Sequence, residues 1–144
     1  MDDFGFILDP AFKGSSVRLG DLGLCEARLQ ADARWPWLVL IPRRPNLREI
    51  EDLAPSLRAA LIEESVAAGA AVRAVARVLD LPVEKLNLGA LGNVTPQLHV
   101  HVLGRRAGDP AWPGPVWGVG TANAYEPGAM AAAVAAARAA LGLQ

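Results

Sequence analysis

His99 and His101 are the only two histidines in a chain of 144 residues. They sit in Gln97-Leu98-His99-Val100-His101-Val102-Leu103, where hydrophobic residues alternate as in a β-strand. Successive strand side chains point to opposite faces, so Gln97, His99, His101 and Leu103 share one face and Leu98, Val100 and Val102 the other. Neighbours on one face lie about 6 to 7 Å apart, close enough for two or three of them to grip a tetrahedral group such as phosphate. Three kinds of chemistry suit such a pair. The histidines can be strand residues satisfied by hydrogen bonds. They can be metal ligands, but zinc needs three or four protein ligands, and the chain offers no third histidine and one distant cysteine, Cys25. Or a neutral imidazole attacks phosphorus to form a covalent phosphoramidate while its strand-face neighbours hold the phosphate oxygens. An ordinary imidazole pKa of about 6.5 leaves the ring substantially unprotonated at neutral pH.

The elements that must hold these rings can be read outward from them. Residues 83–90 have strand character, Gly92-Asn93 supplies a loop, and the histidine strand returns antiparallel. Trp35–Pro42 is a nearly continuous apolar run, which belongs in the middle of a sheet covered on both sides. Ser16–Leu19 and Leu22–Gln30 form two short β-prone runs divided by Gly20-Asp21 in a hairpin-like turn, with Leu22, Leu24, Glu26, Arg28 and Gln30 on one alternating set. Residues 46–53 suggest a short acidic helix and a turn. A long amphipathic helix follows, with Pro55 early and Leu57, Leu61, Ala68, Val72, Val75 and Leu79 at helical spacing, closed by Asp80-Leu81-Pro82. Residues 104–120 are rich in Pro, Gly and Trp and irregular, and Met130–Leu141 is an alanine-dominated helix. Residues 1–14 read as a packed arm without regular structure or assigned function. The fold class expected is α+β, an antiparallel sheet of about five strands with one long helix packed on it and a C-terminal helix.

Length and composition point to a single domain over residues 1–144. A net charge of −1 with 52% hydrophobic and 20% charged residues offers no electrostatic grip on nucleic acid or an anionic membrane. Partners are expected to be a small molecule or a second subunit. A lone cysteine excludes an internal disulfide framework and fits a reducing compartment, so a cytoplasmic location is expected. The N-terminus has no basic stretch followed by an apolar one, and no uninterrupted apolar run approaches the ~18 residues of a membrane span.

The run Gln97–Leu103 resembles the signature of the histidine triad (HIT) family, in which three histidines alternate with hydrophobic residues. Leu86-Asn87-Leu88-Gly89, the Gly92-Asn93 loop and the strand Trp37–Pro42 fall where that family has comparable elements. The resemblance covers roughly residues 16–106, with 107–144 as a C-terminal loop and helix. It implies a HIT-like fold and a nucleotide hydrolase or transferase acting on a nucleoside phosphoramidate or dinucleoside polyphosphate-like substrate. His99 matches the middle histidine, which attacks the α-phosphate and is nucleotidylated before water releases a mononucleotide. His101 matches the last histidine and implies charge stabilisation or proton delivery.

Asn87 resembles an amide that approaches phosphate or ribose. Asn93 and Thr95 lie on the loop that supplies phosphate donors, their other reading being ordinary turn chemistry. Asp32 matches a ribose-binding acid or caps a turn. Gln97 stands where the family has its first histidine; it donates and accepts hydrogen bonds but cannot titrate. That departure implies slower turnover or a better leaving group, and leaves a catalytically weak or inactive nucleotide-binding protein as the alternative. The resemblance further implies a homodimer whose C-terminal segment, with Trp112 and Trp117, crosses to the partner's site; local packing anchors are the other reading of these rings. Trp35 and Trp37 are expected as core or sheet cover. Arg43, Arg44, Arg105 and Arg106 either attract a phosphorylated substrate or are solvated at strand ends. No cofactor, and no metal in the nucleophilic step, is expected.

Overall fold

Residues Trp37–Pro42 form a strand, and every one of them is buried, because a run apolar on both faces needs a neighbour on each edge and cover on each side. A computed structural model describes residues 5–144. It shows a five-stranded sheet in which β1 (Ser16–Asp21), β2 (Cys25–Gln30), β3 (Trp37–Pro42), β4 (Lys85–Gly89) and β5 (Val100–Arg105) lie in the order β1-β2-β3-β5-β4. Each neighbouring pair is antiparallel. Three α-helices accompany the strands: α1 (Pro10–Ser15), α2 (Pro55–Leu79) and α3 (Pro127–Ala140). The α+β class, the central apolar strand and the long and C-terminal helices are as the sequence predicts.

Several details differ from the sequence reading. Gly20-Asp21, expected as the hairpin turn, pairs with Ala27 and Glu26 as the end of β1, so the turn lies at residues 22–24. The expected N-terminal arm contains helix α1, because Pro10 sets its first turn and the Asp9 carboxylate accepts the Ala11 N–H at 2.9 Å. Residues 1–4 of that arm lie outside the described residues. The acidic stretch 46–53 is reduced to a single 3₁₀ turn at Ile50–Asp52, too short to bury a face of its own. Strand β5 starts at Val100, so Gln97 and His99 lie on the segment entering the sheet.

The two faces of the sheet are covered differently. Leu38, Leu40, Val100 and Val102 pack with Leu61, Ala68, Val72 and Val75 of α2 and with Ala133 and Ala137 of α3. The alanine spacing in α3 places small side chains one turn apart, which lets that helix lie close on α2. Trp37, Val39, Ile41 and Leu103 face the other way, under Phe12 of α1 and Val116 and Trp117 of the C-terminal loop. Helix α2 ends where Asp80 takes a left-handed conformation, its N–H bonding to the carbonyls of Ala76 and Arg77. Higher in the same helix, the Glu64 carboxylate accepts the N–H groups of Leu24 (2.7 Å) and Cys25 (2.8 Å) and so ties α2 to the start of β2.

The C-terminal loop is anchored by a buried ion pair. Arg105 on β5 donates from Nε and Nη2 to the two Asp109 oxygens at 2.7 and 3.0 Å, and both side chains are nearly inaccessible. Burial alone would raise the Asp109 pKa. The Arg105 guanidinium, with the N–H groups of Ala111 and Arg106, instead holds it well below the usual carboxylate range. Replacing Asp109 with Ala strands a buried guanidinium, so Asp109→Ala is expected to destabilise the fold by about 3 to 5 kcal/mol. Denaturant unfolding of variant and wild type at neutral pH checks this. Because the folded-state pKa is depressed, the pair's contribution is complete above the ordinary value of 3.8 and fades as pH falls below it, so the gap between the two proteins narrows in acid.

Candidate active site

The two imidazoles are held in complementary tautomers. His99 Nδ1 lies 2.6 Å from the main-chain carbonyl of Gln97. A carbonyl can only accept, so Nδ1 carries the proton and Nε2 keeps a free lone pair. His101 is the reverse: its Nδ1 accepts the indole N–H of Trp37 at 3.0 Å, which leaves the proton of the neutral ring on Nε2. The ring centroids are 4.9 Å apart and nearly perpendicular. One ring thus presents an acceptor beside another that presents a donor.

Both rings are kept neutral. Burial lowers the His99 pKa below its ordinary 6.5, opposed by the hydrogen bond to Gln97 and the charge of Asp9. For His101 burial, helped by the neighbouring His99, brings the pKa down to about 3. His101 is packed against Trp37 and Trp117, with centroids 5.5 and 5.4 Å away. The room for Trp117 comes from Gly89, which pairs with His101 across the β4–β5 ladder. A Cβ at Gly89 would stand 2.9 Å from the Trp117 ring.

These rings border a cavity of about 300 Å³ whose walls include Phe12, Ser15, Gln30, Asn93, Thr95 and Trp117. The structure therefore brings Asn93 and Thr95 together with His99 and His101. It does not bring Asn87 or Asp32 there: the Asn87 carbonyl oxygen accepts from Arg105 at 2.9 Å, and buried Asp32 is engaged by Arg34 in a multidentate ion pair. The Gln97 side chain lies outside this lining and bonds to residues 7 and 9. Arg105 and Arg106 are likewise occupied, by Asp109 and by the carbonyl of Arg34. Among the described residues the cavity walls carry no charged side chain, so an anion held there is met by neutral donors.

Several wall residues are not among those the sequence reading assigns to the site, among them Phe12, Ser15, Gln30 and Trp117. Gln30 was signalled by its place at the end of the alternating set in β2. Trp117 was read as a packing anchor or a visitor to the partner's site; it packs on His101 and Trp37 of its own chain. Phe12 and Ser15 had no such signal, because their contact with the cavity comes from the docking of α1. Trp112 lies with its ring 5.6 Å from the Arg105 guanidinium, and Trp35 is fully buried.

A five-stranded antiparallel sheet, with a histidine pair of opposed tautomers facing a small neutral cavity, defines the class to which comparison with known proteins can be put. A family model of the HIT domain matches residues 13–108, and the chain belongs to that family, one of nucleotide-binding proteins and hydrolases. It is 40% identical to a histidine triad protein from Sinorhizobium meliloti, with a TM-score of 0.88, covering 97% of this chain and 100% of that one. A histidine triad protein from Bradyrhizobium japonicum is 39% identical, with a TM-score of 0.85 and coverage of 94% and 98%. One from Marinobacter aquaeolei is 36% identical, with a TM-score of 0.85 and coverage of 95% and 96%. No curated protein matches the chain. Among the described residues no helix is long and apolar enough to cross a membrane.

The tautomer of His101 depends on one donor. Trp37→Phe keeps a buried ring and removes the indole N–H, so His101 is expected to lose its pure Nε2–H form. Nitrogen-15 correlation spectra of the histidine side chains read this directly. An unchanged His101 pattern would show that Trp37 does not set the tautomer.

Proposed function

We propose that this protein is a HIT-type nucleotide hydrolase or transferase with His99 as its nucleophile. The observation that carries the reading is the 2.6 Å contact between His99 Nδ1 and the Gln97 carbonyl, which reserves the Nε2 lone pair at a cavity able to take a phosphate. In the first step Nε2 forms a bond to the α-phosphorus and the bond from phosphorus to the leaving group breaks. In the second, water attacks phosphorus and gives up a proton to solvent, the N–P bond breaks, a mononucleotide is released, and His99 returns to its neutral form with the proton on Nδ1.

His101, neutral with Nε2–H, donates to a phosphate oxygen as charge builds on it. Its depressed pKa makes it a poor store of protons, and Gln97 has none to give. The leaving group therefore takes its proton from solvent, which favours substrates whose leaving group departs readily. Asn93 and Thr95 act as further neutral donors around the phosphate. The roles proposed for Asn87 and Asp32 are indirect, through the networks of Arg105 and Arg34 respectively. The absence of a titratable group at Gln97 favours a second reading, a nucleotide-binding protein with little turnover.

We also propose that the protein is a homodimer. Ile62 and Val66 of α2 and Leu88 of β4 are more than half exposed and border one apolar depression of about 390 Å³. They lie beside β4, an edge strand of the sheet. An edge strand with an adjoining apolar helix face suits a self-complementary interface between two copies.

Incubation with an adenosine phosphoramidate or a dinucleoside polyphosphate is expected to release mononucleotide and to leave a nucleotidyl adduct visible by intact mass. His99→Ala should lower the rate by about a thousandfold or more, and His101→Ala by about a hundredfold. Since the His99 pKa is depressed, activity should hold as pH falls through 6.5 and fail only below it, when Nε2 is protonated. Tight nucleotide binding with no release under any condition would decide for the binding protein. For the dimer, sedimentation of Val66→Glu should show a monomer where wild type shows twice the mass.

A further inference from the structure

The amide of Gln97 is used at both ends. Its Oε1 accepts the N–H of Asp9 and its Nε2 donates to the carbonyl of Ile7, each at 2.8 Å. This is the pairing one peptide group offers another across a strand, supplied here by a side chain. An amide presents donor and acceptor side by side, whereas an imidazole presents them on diverging directions. A histidine at position 97 would not reproduce both bonds.

The segment so held leads directly to the cavity. Asp9 caps α1 through the Ala11 N–H. One turn on, Phe12 is buried with its ring edge-on to His99, centroids 4.8 Å apart. Ala11, Phe12 and Ser15 make one wall of the cavity. The same Gln97, through its main-chain carbonyl, orients His99. One residue thus sets both the ring and the wall facing it.

We propose that Gln97 is a positioning residue that determines specificity: its side chain fixes residues 7–12 as a rigid wall against His99, and so sets which substrates fit. The inference rests on the reading of this cavity as the nucleotide site. It accounts for a glutamine here by a task that a titratable ring does not perform.

Gln97→Leu removes the clamp and leaves the carbonyl that orients His99. The freed Asp9 N–H and Ile7 C=O reach water, so the fold should persist. The variant is expected to raise KM, and the Kd for adenosine monophosphate by calorimetry, about tenfold, while kcat falls far less than kcat/KM. Amide exchange should quicken at residues 7–12 and stay unchanged at residues 100–105. Discrimination between phosphoramidates with small and bulky leaving groups should narrow. Phe12→Ala should give the same changes, and the double variant little more than either, since both act through one wall.

Unchanged affinity, selectivity and exchange in Gln97→Leu, or additive effects in the double variant, would overturn the proposal. So would a fall in kcat at constant KM, which would put Gln97 in the chemical step. Full activity in His99→Ala would instead sink the nucleophile. The calorimetric and exchange readings on Gln97 would still stand.

Discussion

Strand β5 lies against β3 with Val102 opposite Leu38 and Val100 opposite Leu40, and this register sends both valines into the core under α2 and α3. The pleat then turns His101 and the approaching His99 to the opposite face. A slip of one residue would put the imidazoles among the leucines of α2 and the valines under the loop. Burying each such valine or leucine is worth roughly 1.5 to 3 kcal/mol, so the hydrophobic core holds the chemistry in place. Helices α2 and α3 do not line the cavity; they determine which face of β5 is left to form it.

On that face, polarity is confined to few directions. Trp37, Trp117 and Phe12 surround the histidines with apolar surface, which keeps both rings neutral. Within that surround each ring has one polar partner, an acceptor for His99 and a donor for His101. These partners, rather than the imidazoles themselves, make one ring an acceptor and the other a donor toward the cavity. Three arginines near the face are paired off: Arg28 with Glu26, Arg34 with Asp32, Arg105 with Asp109. What remains for a ligand is shape and a few neutral donors.

The Arg105–Asp109 pair joins this arrangement to the fold. It fixes the end of β5 to the start of the Pro- and Gly-rich loop that delivers Trp117 over His101, and through Asn87 it reaches β4. A segment without helix or strand periodicity is thereby tied to the sheet it covers.

Much of this was legible in the sequence, because it depends on local pattern. Alternation in Gln97–Leu103 determined that the histidines share a face, the doubly apolar Trp37–Pro42 determined the central strand, and the 3.6-residue stripe in 55–79 determined α2. The family resemblance carried the hairpin of β4 and β5. What the pattern did not contain were contacts between residues far apart in the chain. The closure of the Gln97 amide on residues 7 and 9, the indole of Trp37 on His101, and the capture of Asp32 and Asn87 by arginines all join separate segments. Spacing along the chain reports periodic burial, and is silent on which hydrogen-bonding group a distant backbone turn will present. The sequence by itself determined which side chains line one face of a strand; only the tertiary structure decided their protonation, their partners and the wall they face, because those depend on desolvation and on donors brought in from elsewhere.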